Sequence, residues 1–406
     1  MFDLYVLWEW VEFAVRWLHV ITAIAWIGSS FYFIALDLGL HRDRNLASGA
    51  DGEEWQVHGG GFYHVQKYLI APDKMPSDLV WFKWESYSTW LSGFALLAIV
   101  YYIGGDLYLI DPAKADISVL QGAMISVASL GFGWVVYDQL CKSRLGENST
   151  GLMLLLFVIL IGMAWFYTQV FTGRAALLHL GAFTATLMSG NVFFIIMPNQ
   201  RIVVADLIAG RKPDAKYGKI AKQRSTHNNY LTLPVIFLML SNHYPLAFAS
   251  DYNWIIASLV FLMGVTIRHY FNTLHARKGD PHWTWLLTAL IFVAIAWLST
   301  LSKPADQDDI ALTSAGHSFA MAPEFEQVAN VVIGNCSMCH GADPSWDGIL
   351  WAPKGVMLEN PVQIANQARE VYLQAGITHA MPPPSASYMS DEDRALIVQW
   401  FKGVSG

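Results

Sequence analysis

The sequence predicts an all-α protein in which an eight-helix transmembrane bundle precedes a small helical domain. Hydrophobic residues make up 54% of the 406 residues and charged residues only 14%, whereas average soluble domains carry about 25% charge. Apolar stretches recur through residues 1–301, which we take as the membrane domain. Residues 301–406 differ, because they hold twelve Asp and Glu against five Lys and Arg. The chain is therefore predicted to combine an apolar body with an acidic tail.

Eight stretches offer the roughly 20 apolar residues that a membrane span needs. They cover residues 11–36, 84–104, 119–141, 150–171, 174–197, 228–249, 252–275 and 283–301. The first stretch is too long for a removable signal peptide, and it lacks a basic n-region and a small-residue cleavage site. We therefore expect it to remain as the first span.

Basic residues in the connecting loops predict the orientation of the bundle. Sixteen Lys and Arg lie in the loops on one side, at residues 37–83, 142–149, 198–227 and 276–282. The opposite side holds only Lys114, Arg174 and Lys303. Because cytoplasmic loops carry the excess of Lys and Arg, both termini are predicted to lie outside the cytoplasm.

The acidic tail contains Cys336-Ser337-Met338-Cys339-His340, a C-x-x-C-H motif typical of covalent haem c attachment. Two thiols on one helical turn can reach the two vinyl groups of one porphyrin, and His340 then serves as an axial iron ligand. A structural zinc site would need four ligands, and the sequence has no second C-x-x-C. A thioredoxin-like dithiol would need a βαβ setting. We therefore predict one haem c.

The residues around this motif predict a small helical domain of class I-like cytochrome c type at 323–406, behind an acidic linker at 302–322. Its helices are expected at residues 323–335, 360–375 and 391–403, the last with Ser390 as its N-cap. Met381 is the predicted sixth iron ligand, because the prolines after it would stiffen its loop.

The alternatives for the sixth ligand are His379, Met357 and Met389. Ligation by His and Met raises the reduction potential and leaves no open position for dioxygen, so we expect an electron carrier. With a net charge of −7 and no basic tract, nucleic acid is an improbable partner.

Polar side chains inside the predicted spans are functional candidates, because burying them in a bilayer is costly. An outer layer contains Arg16, His19, His179, Asn242 and His243. A cytoplasmic layer contains Glu85, Asp138, Asn191, His227, Asn228, Asn229, Arg268, His269, Asn272 and His275, together with the loop His58-Gly59-Gly60-Gly61-Phe62-Tyr63-His64. Each residue could instead serve only as a hydrogen-bonding partner between helices, but their number favours a buried polar site.

Several motifs connect nearly the whole chain to one family. They are RWLH at 16–19, WIGSSFY at 26–32, HGGGFYH at 58–64, WFKWE at 81–85, HNNY at 227–230, SNHYP at 241–245, CSMCH at 336–340 and APKGV at 352–356. With them the sequence resembles the bacterial inner-membrane urate oxidases, or urate hydroxylases, that end in a cytochrome c domain. The resemblance implies oxidation of urate to 5-hydroxyisourate in purine catabolism. It also implies electron transfer to cytochrome c in place of dioxygen, and onward to a soluble cytochrome c or a respiratory-chain acceptor.

We predict that urate binds in the cytoplasmic layer, with His58 to His64 as a lid. The residues expected there are Arg268, His269, His227 and Asn228, with His58 and His64. An Arg side chain suits the urate anion through bidentate hydrogen bonds, and a His side chain suits proton removal near pH 7. Electrons would then need a relay across the bilayer, such as a second haem, a metal, or Trp and Tyr side chains.

Three alternatives stay open from the sequence. Urate could bind in the outer layer at Arg16 and His19, and no relay would then be needed. The body could be another redox module that holds a b-type haem or copper at His19, His179 and His243, since RWLH also resembles porphyrinogen-oxidising and copper-resistance proteins. The body could also be a transporter or an anchor for the cytochrome.

Overall fold

Long helices that run back and forth form the N-terminal part of the protein. The computed structural model describes residues 4–68, 76, 78–112, 114–301, 311–347, 349, 352–383 and 386–405. The helices of the first part are α1 Leu4–Gly39, α2 Trp84–Leu97, α3 Gly105–Tyr108, α4 Val119–Lys142, α5 Ser149–Val170, α6 Gly173–Gly190, α7 Met197–Ile208, α8 Ala215–Leu240, α9 Pro245–Phe248, α10 Asn253–His275 and α11 Trp283–Ser299. Wide π-helical turns extend α2 through Ala98–Ile103 and join α6 to α7 through Asn191–Ile196.

Among the described residues, six helices are long and apolar enough to cross a membrane. They are Leu4–Gly39, Trp84–Ile103, Val119–Lys142, Ser149–Val170, Gly173–Ile208 and Asn253–His275, and each contains a predicted span or most of one. The other two predicted spans stay predictions. Helix α11 is apolar but has only 17 residues, and α8 carries a charged N-terminal half.

Helix α8 occupies other residues than the predicted span at 228–249. It begins at Ala215, where the Asp214 side chain accepts a hydrogen bond from the backbone N–H of Lys216, and it ends at Leu240. A tight turn at Ser241–His243 and then Pro245 follow. The hydropathy pattern missed the first half of α8 because its charged residues hide the helix from a search for apolar stretches.

Helix α6 lies at the centre of the bundle, and its side chains are buried on most of its surface. Two glycines allow α4 and the end of α6 to pack closely. A Cβ atom at Gly133 would lie 2.1 Å from Cε2 of Phe183, and one at Gly190 would lie 2.6 Å from the Trp134 ring. Small residues at helix contacts permit such close approach in membrane bundles.

A two-stranded antiparallel hairpin follows α1, with strands β1 Ala50–His58 and β2 Gly61–Tyr68. The all-α prediction is wrong here, because residues 37–83 were expected to form only a loop. Gly59 and Gly60 have positive φ angles of 59° and 81°, as the central residues of a type I′ turn require. The hairpin signal was this glycine pair between two short strands, but polar strand residues concealed it. We call this end of the bundle the hairpin end.

The C-terminal domain contains the helices α12 Ser314–Ala320, α13 Phe325–His340, α14 Pro361–Asn366, α15 Ala368–Val371, continued by a wide turn at Tyr372–Ile377, and α16 Asp391–Ser405. Its core includes Val332, Tyr372 and Trp400. The N-cap prediction is confirmed, because Ser390 Oγ accepts a hydrogen bond of 3.1 Å from the N–H of Asp393. Part of the predicted linker is folded, since Trp400 Nε1 donates to the carbonyl of Phe319 in α12 at 3.0 Å.

The C-terminal domain rests on the bundle at the end opposite the hairpin, which we call the tail end. Tyr5 at the start of α1 packs edge-to-face against Phe401 with ring centroids 5.1 Å apart. Glu9 of α1 forms an ion pair with Arg369. The Tyr108 hydroxyl donates to Glu370 at 2.6 Å. Apolar, ionic and hydrogen-bonding contacts thus hold the two parts together.

Replacing Trp400 with Ala should destabilise the C-terminal domain, because this side chain is fully buried. The free energy of unfolding should fall by roughly 3–5 kcal/mol, the usual cost of such a truncation. Proteolysis of the full-length protein across a urea series measures it. The control is Tyr388→Ala, at a side chain that is 86% exposed. Equal midpoints for the two variants would contradict the described core.

Candidate functional site

A buried ion pair lies between α4 and α8 near the hairpin end. The guanidinium of Arg224, a residue with 1% of its surface exposed, donates to Asp138 Oδ1 at 2.8 Å. It also lies 5.0 Å from the centre of the Tyr137 ring. The second carboxylate oxygen of Asp138 accepts from Lys142 at 2.5 Å. The pair places two charges inside an apolar bundle, where each needs its partner.

The direction of the hydrogen bonds that leave Arg224 fixes the orientation of a buried amide. A guanidinium only donates, so Asn191 accepts through Oδ1 at 3.1 Å. The amide nitrogen of Asn191 then donates to the Tyr137 oxygen at 3.0 Å. The Tyr137 oxygen also lies 2.8 Å from His227 Nδ1, and either of these two groups can be the donor.

The other end of this network gives the same orientation of the Asn191 amide. Asn228 donates through Nδ2 to the carbonyl of Met188 at 3.0 Å, so its Oδ1 faces Asn191 and accepts from it at 2.9 Å. His227 Nε2 has no hydrogen-bond partner among the described residues.

Arg268 lies in a second polar cluster, between α1, α8 and α10. Its guanidinium donates to Asn229 at 3.3 Å and to Asn272 at 3.0 Å, and it lies 4.3 Å from the centre of the Phe31 ring. Asn272 Nδ2 also donates to Asn229, at 2.8 Å. Within the part of the chain that the structure describes, Arg268 forms no ion pair. Its positive charge is thus buried without a counterion.

A cavity of about 320 Å³ opens at the hairpin end between α1, β1 and α10. Glu54, Gln56, His275 and Arg277 supply its polar lining. One carboxylate oxygen of Glu54 and Nδ1 of His275 have no hydrogen-bond partner among the described residues. His275 is seven residues beyond Arg268 on the same helix, so both side chains lie on the same helix face. The cavity that His275 lines is therefore on the face of α10 that carries Arg268.

The structure separates the residues predicted to share this site. His227 and Asn229 are two positions apart on α8 and point roughly 200° apart. His227 therefore contacts α4 and α6, while Asn229 contacts Arg268. His269 is exposed and lies 3.5 Å from the Tyr230 hydroxyl.

The hairpin does reach the cavity, but through other residues than the predicted histidines. Glu54 and Gln56 line the cavity, whereas His64 lies on the opposite strand face, where it stacks on Trp55 at 4.1 Å. His64 also donates to Glu53 at 2.8 Å, which holds the pKa of the Glu53 carboxyl below its usual range. His58 is exposed beside the turn.

The two outer-layer residues of the alternative prediction have partners of their own. Arg16 forms an ion pair of 2.5 Å with Glu12, so its charge is compensated. His19 Nδ1 lies 3.1 Å from the Thr89 carbonyl and packs against Gly93, where a Cβ would lie 2.7 Å from the imidazole. Among the described residues, no group of three or more His, Cys, Asp and Glu could hold a metal ion.

A further set of polar side chains, which we call the tail cluster, consists of Tyr101, Arg174, His179 and Asn242. Each has one buried atom without a hydrogen-bond partner among the described residues, namely Tyr101 Oη, Arg174 Nε, His179 Nε2 and Asn242 Oδ1. His179 Nδ1 lies 2.7 Å from the carbonyl of Ala175. A carbonyl only accepts, so Nδ1 carries the hydrogen and Nε2 offers a lone pair.

The sequence analysis did not select Tyr101 or Arg174. A signal existed for Arg174, because it is one of three basic residues on its side of the bundle and begins the predicted span that contains His179. Tyr101 gave no signal, because nothing in the sequence distinguishes it from the other sixteen tyrosines.

The C-x-x-C-H residues are arranged as a haem c site requires. Cys336 and Cys339 are free thiols on the last turn of α13, and burial raises the pKa of Cys336 to about 11. His340 Nδ1 donates to the Val356 carbonyl at 2.7 Å. This bond orients the imidazole and leaves Nε2 for the iron, as in other histidines that ligate metals. The residues present therefore fit haem c.

The candidates for the sixth ligand differ in their surroundings. Met389 is 2% exposed and belongs to the domain core. Met381 is 36% exposed, while its backbone is fixed by a hydrogen bond from its N–H to Gln374 and by one from Arg394 to its carbonyl, both 3.0 Å long. The Met381 side chain is thus available on an anchored loop.

Comparison with known proteins connects the bundle to one family. Residues 5–299 match the family model described as Urate oxidase N-terminal. Comparison with curated proteins finds no match, and neither does comparison with solved structures. The match covers the helices that carry the Arg224, Arg268 and tail clusters and ends before the C-terminal domain.

Replacing Asp138 with Asn should leave the Arg224 charge buried without its counterion. Breaking a buried pair from one side costs about 3–5 kcal/mol, and unfolding of the detergent-solubilised protein by increasing SDS measures this cost. Adding Arg224→Gln to Asp138→Asn should restore part of the loss. The control Lys142→Gln removes an exposed partner and should cost about 1 kcal/mol or less. A larger loss for Lys142→Gln than for Asp138→Asn would refute the assignment.

Proposed function

Since the chain belongs to the urate oxidase N-terminal family, we propose that it oxidises urate to 5-hydroxyisourate and delivers the electrons to a haem c in its own C-terminal domain. Family membership supports a urate-related oxidoreductase. The choice of haem c as electron acceptor is supported by the position of the C-x-x-C-H domain. This domain contacts the bundle through Tyr5, Glu9 and Tyr108.

The chain's own residues define what the haem site would do. Cys336 and Cys339 would form the two thioether bonds, His340 would ligate the iron, and Met381 would complete the ligation. When bound, haem c accepts one electron at a time, so each urate requires two such transfers. A site closed by His and Met leaves dioxygen no position on the iron, and water supplies the oxygen atom.

The proposed environment is the bacterial inner membrane, with both termini and the haem domain in the periplasm. Six apolar helices support a membrane location. The orientation rests on the excess of Lys and Arg in the loops at the hairpin end. The onward acceptor would be a soluble cytochrome c or a respiratory-chain component that reaches the exposed domain.

Two clusters offer an arginine without a carboxylate partner in the described parts of the chain. Arg268 beside the hairpin-end cavity is the site that the sequence predicts, and Arg174 of the tail cluster is the second. A guanidinium is the preferred partner of a planar anion such as urate. Arg16 is a weaker candidate than either, because Glu12 neutralises it.

Replacing Met381 with Ala should open the sixth position of the haem iron. The absorption spectrum should shift towards high spin and the reduction potential should fall, while a pyridine haemochrome assay still reports one covalent haem per chain. The control Met321→Ala removes a side chain that is 74% exposed and should change neither. An unchanged spectrum in Met381→Ala would transfer the ligand role to His379, Met357 or Met389.

Anaerobic addition of urate to the oxidised, haem-loaded full chain should reduce the haem, with two haem equivalents reduced per urate. Hydrogen peroxide should not accumulate when the assay is repeated in air. The variant Cys336→Ser/Cys339→Ser should lose covalent haem and urate oxidation together. If dithionite reduces the haem and urate does not, the proposed function is wrong.

A further inference from the structure

We propose that urate is oxidised in the tail cluster, with Arg174 as its anion partner and His179 as the base. This proposal rests on the proposed function and identifies the part of the bundle in which urate is oxidised. The rings of Tyr101 and His179 lie 5.6 Å apart and nearly perpendicular, and the Arg174 guanidinium lies 5.0 Å from the centre of the Tyr108 ring. Asn242 lies in the turn Ser241–His243, which packs against α6.

The unpartnered atoms of the tail cluster complement a purine more closely than other ligands. Tyr101 and Arg174 offer hydrogens to urate and Asn242 Oδ1 accepts one from it, while His179 Nε2 accepts a hydrogen from the attacking water. Urate presents both carbonyl oxygens and N–H groups around its edge, so it can satisfy both kinds. A simple inorganic anion would meet two acceptors that repel it.

The charges around the cluster favour an anionic ligand. Arg174 forms no ion pair within the described residues, whereas Arg16 is compensated by Glu12. His243 lies close enough to Arg16, Arg174 and Lys354 to interact with all three charges. Positive charge from both the bundle and the C-terminal domain therefore reaches His243, the neighbour of Asn242.

The position of the tail cluster shortens the electron path. Gly355 lies against Phe248 of the bundle, since a Cβ there would be 3.3 Å from the Phe248 ring. The next residue, Val356, accepts the hydrogen bond that orients His340. By contrast, Arg268 lies sixteen residues along α10 from Tyr252 at the tail end, or about 24 Å at 1.5 Å per residue. Urate at Arg268 would need the relay that the tail cluster makes unnecessary.

The tautomer of His179 assigns the base. The reaction converts one urate monoanion and one water into 5-hydroxyisourate, one proton and two electrons. The C5–O bond forms as one O–H bond of the water breaks. His179 Nε2 has the lone pair that takes this proton, because Nδ1 donates to the Ala175 carbonyl. The two electrons go one at a time to the haem c of the proposed function. Base catalysis of this kind contributes about 10²–10⁴-fold to the rate.

The test measures urate binding and haem reduction separately on the haem-loaded full chain without oxygen. Binding is measured by equilibrium dialysis with radiolabelled urate, after dithionite has reduced the haem so that no turnover occurs. Arg174→Gln should weaken binding at least tenfold. His179→Gln should bind urate within threefold of the parent but slow urate-dependent haem reduction at least 100-fold.

Matched variants separate the two candidate sites. Arg268→Gln tests the other candidate site, and Thr184→Val, at a buried position of the same helix as His179, should change neither binding nor reduction. Spectra and dithionite reduction report folding of every variant. If Arg268→Gln weakens binding while Arg174→Gln and His179→Gln do not, urate binds at the hairpin end and this proposal is overturned, although the proposed function stands. If urate fails to reduce the haem of the parent protein, the proposed function itself falls.

Discussion

The cost of burying polar and charged groups in an apolar bundle is the constraint on which the rest of this structure depends. An isolated charge is far more stable in water than among apolar helices, so each buried charge must have a local partner. Arg224 and Asp138 satisfy this requirement with each other. Arg268, which is buried, and Arg174, which is half-buried, do not have such a partner among the described residues. At these two positions a bound anion would therefore neutralise a positive charge that the described residues leave without a counterion.

The same constraint gives the buried histidines different chemical roles. Each imidazole is held by one nitrogen, and the partner determines which nitrogen carries the hydrogen. Backbone carbonyls accept from Nδ1 of His179 and of His340, whereas the partner of His227 Nδ1 is a tyrosine hydroxyl, which can donate or accept. His179 and His340 therefore each offer a lone pair on Nε2, as the proposed roles of base and iron ligand require.

The sequence predicted much of the fold, because the hydrophobic pattern of a span and the spacing of C-x-x-C-H are local properties. It failed for the hairpin, where both strands are polar, and for α8, whose charged first half extends the helix beyond the apolar stretch. The grouping of His227 with Arg268 shows a different limit. Both residues lie at the same depth in the bundle, but His227 points to a different side of α8 from the residue that contacts Arg268. Grouping residues by depth alone does not take this angle around the helix axis into account.

The docked domain is what distinguishes the two ends of the bundle functionally. Arg268 and Arg174 present similar chemistry, and a cavity at the hairpin end would favour Arg268 if binding were the only requirement. Oxidation also requires that electrons leave, and electron transfer slows steeply with distance. The contacts of Tyr108 with Glu370 and of Phe248 with Gly355 bring the C-terminal domain to the tail end. With the C-terminal domain as the proposed acceptor, the tail end is therefore the end from which electrons have the shorter distance to travel.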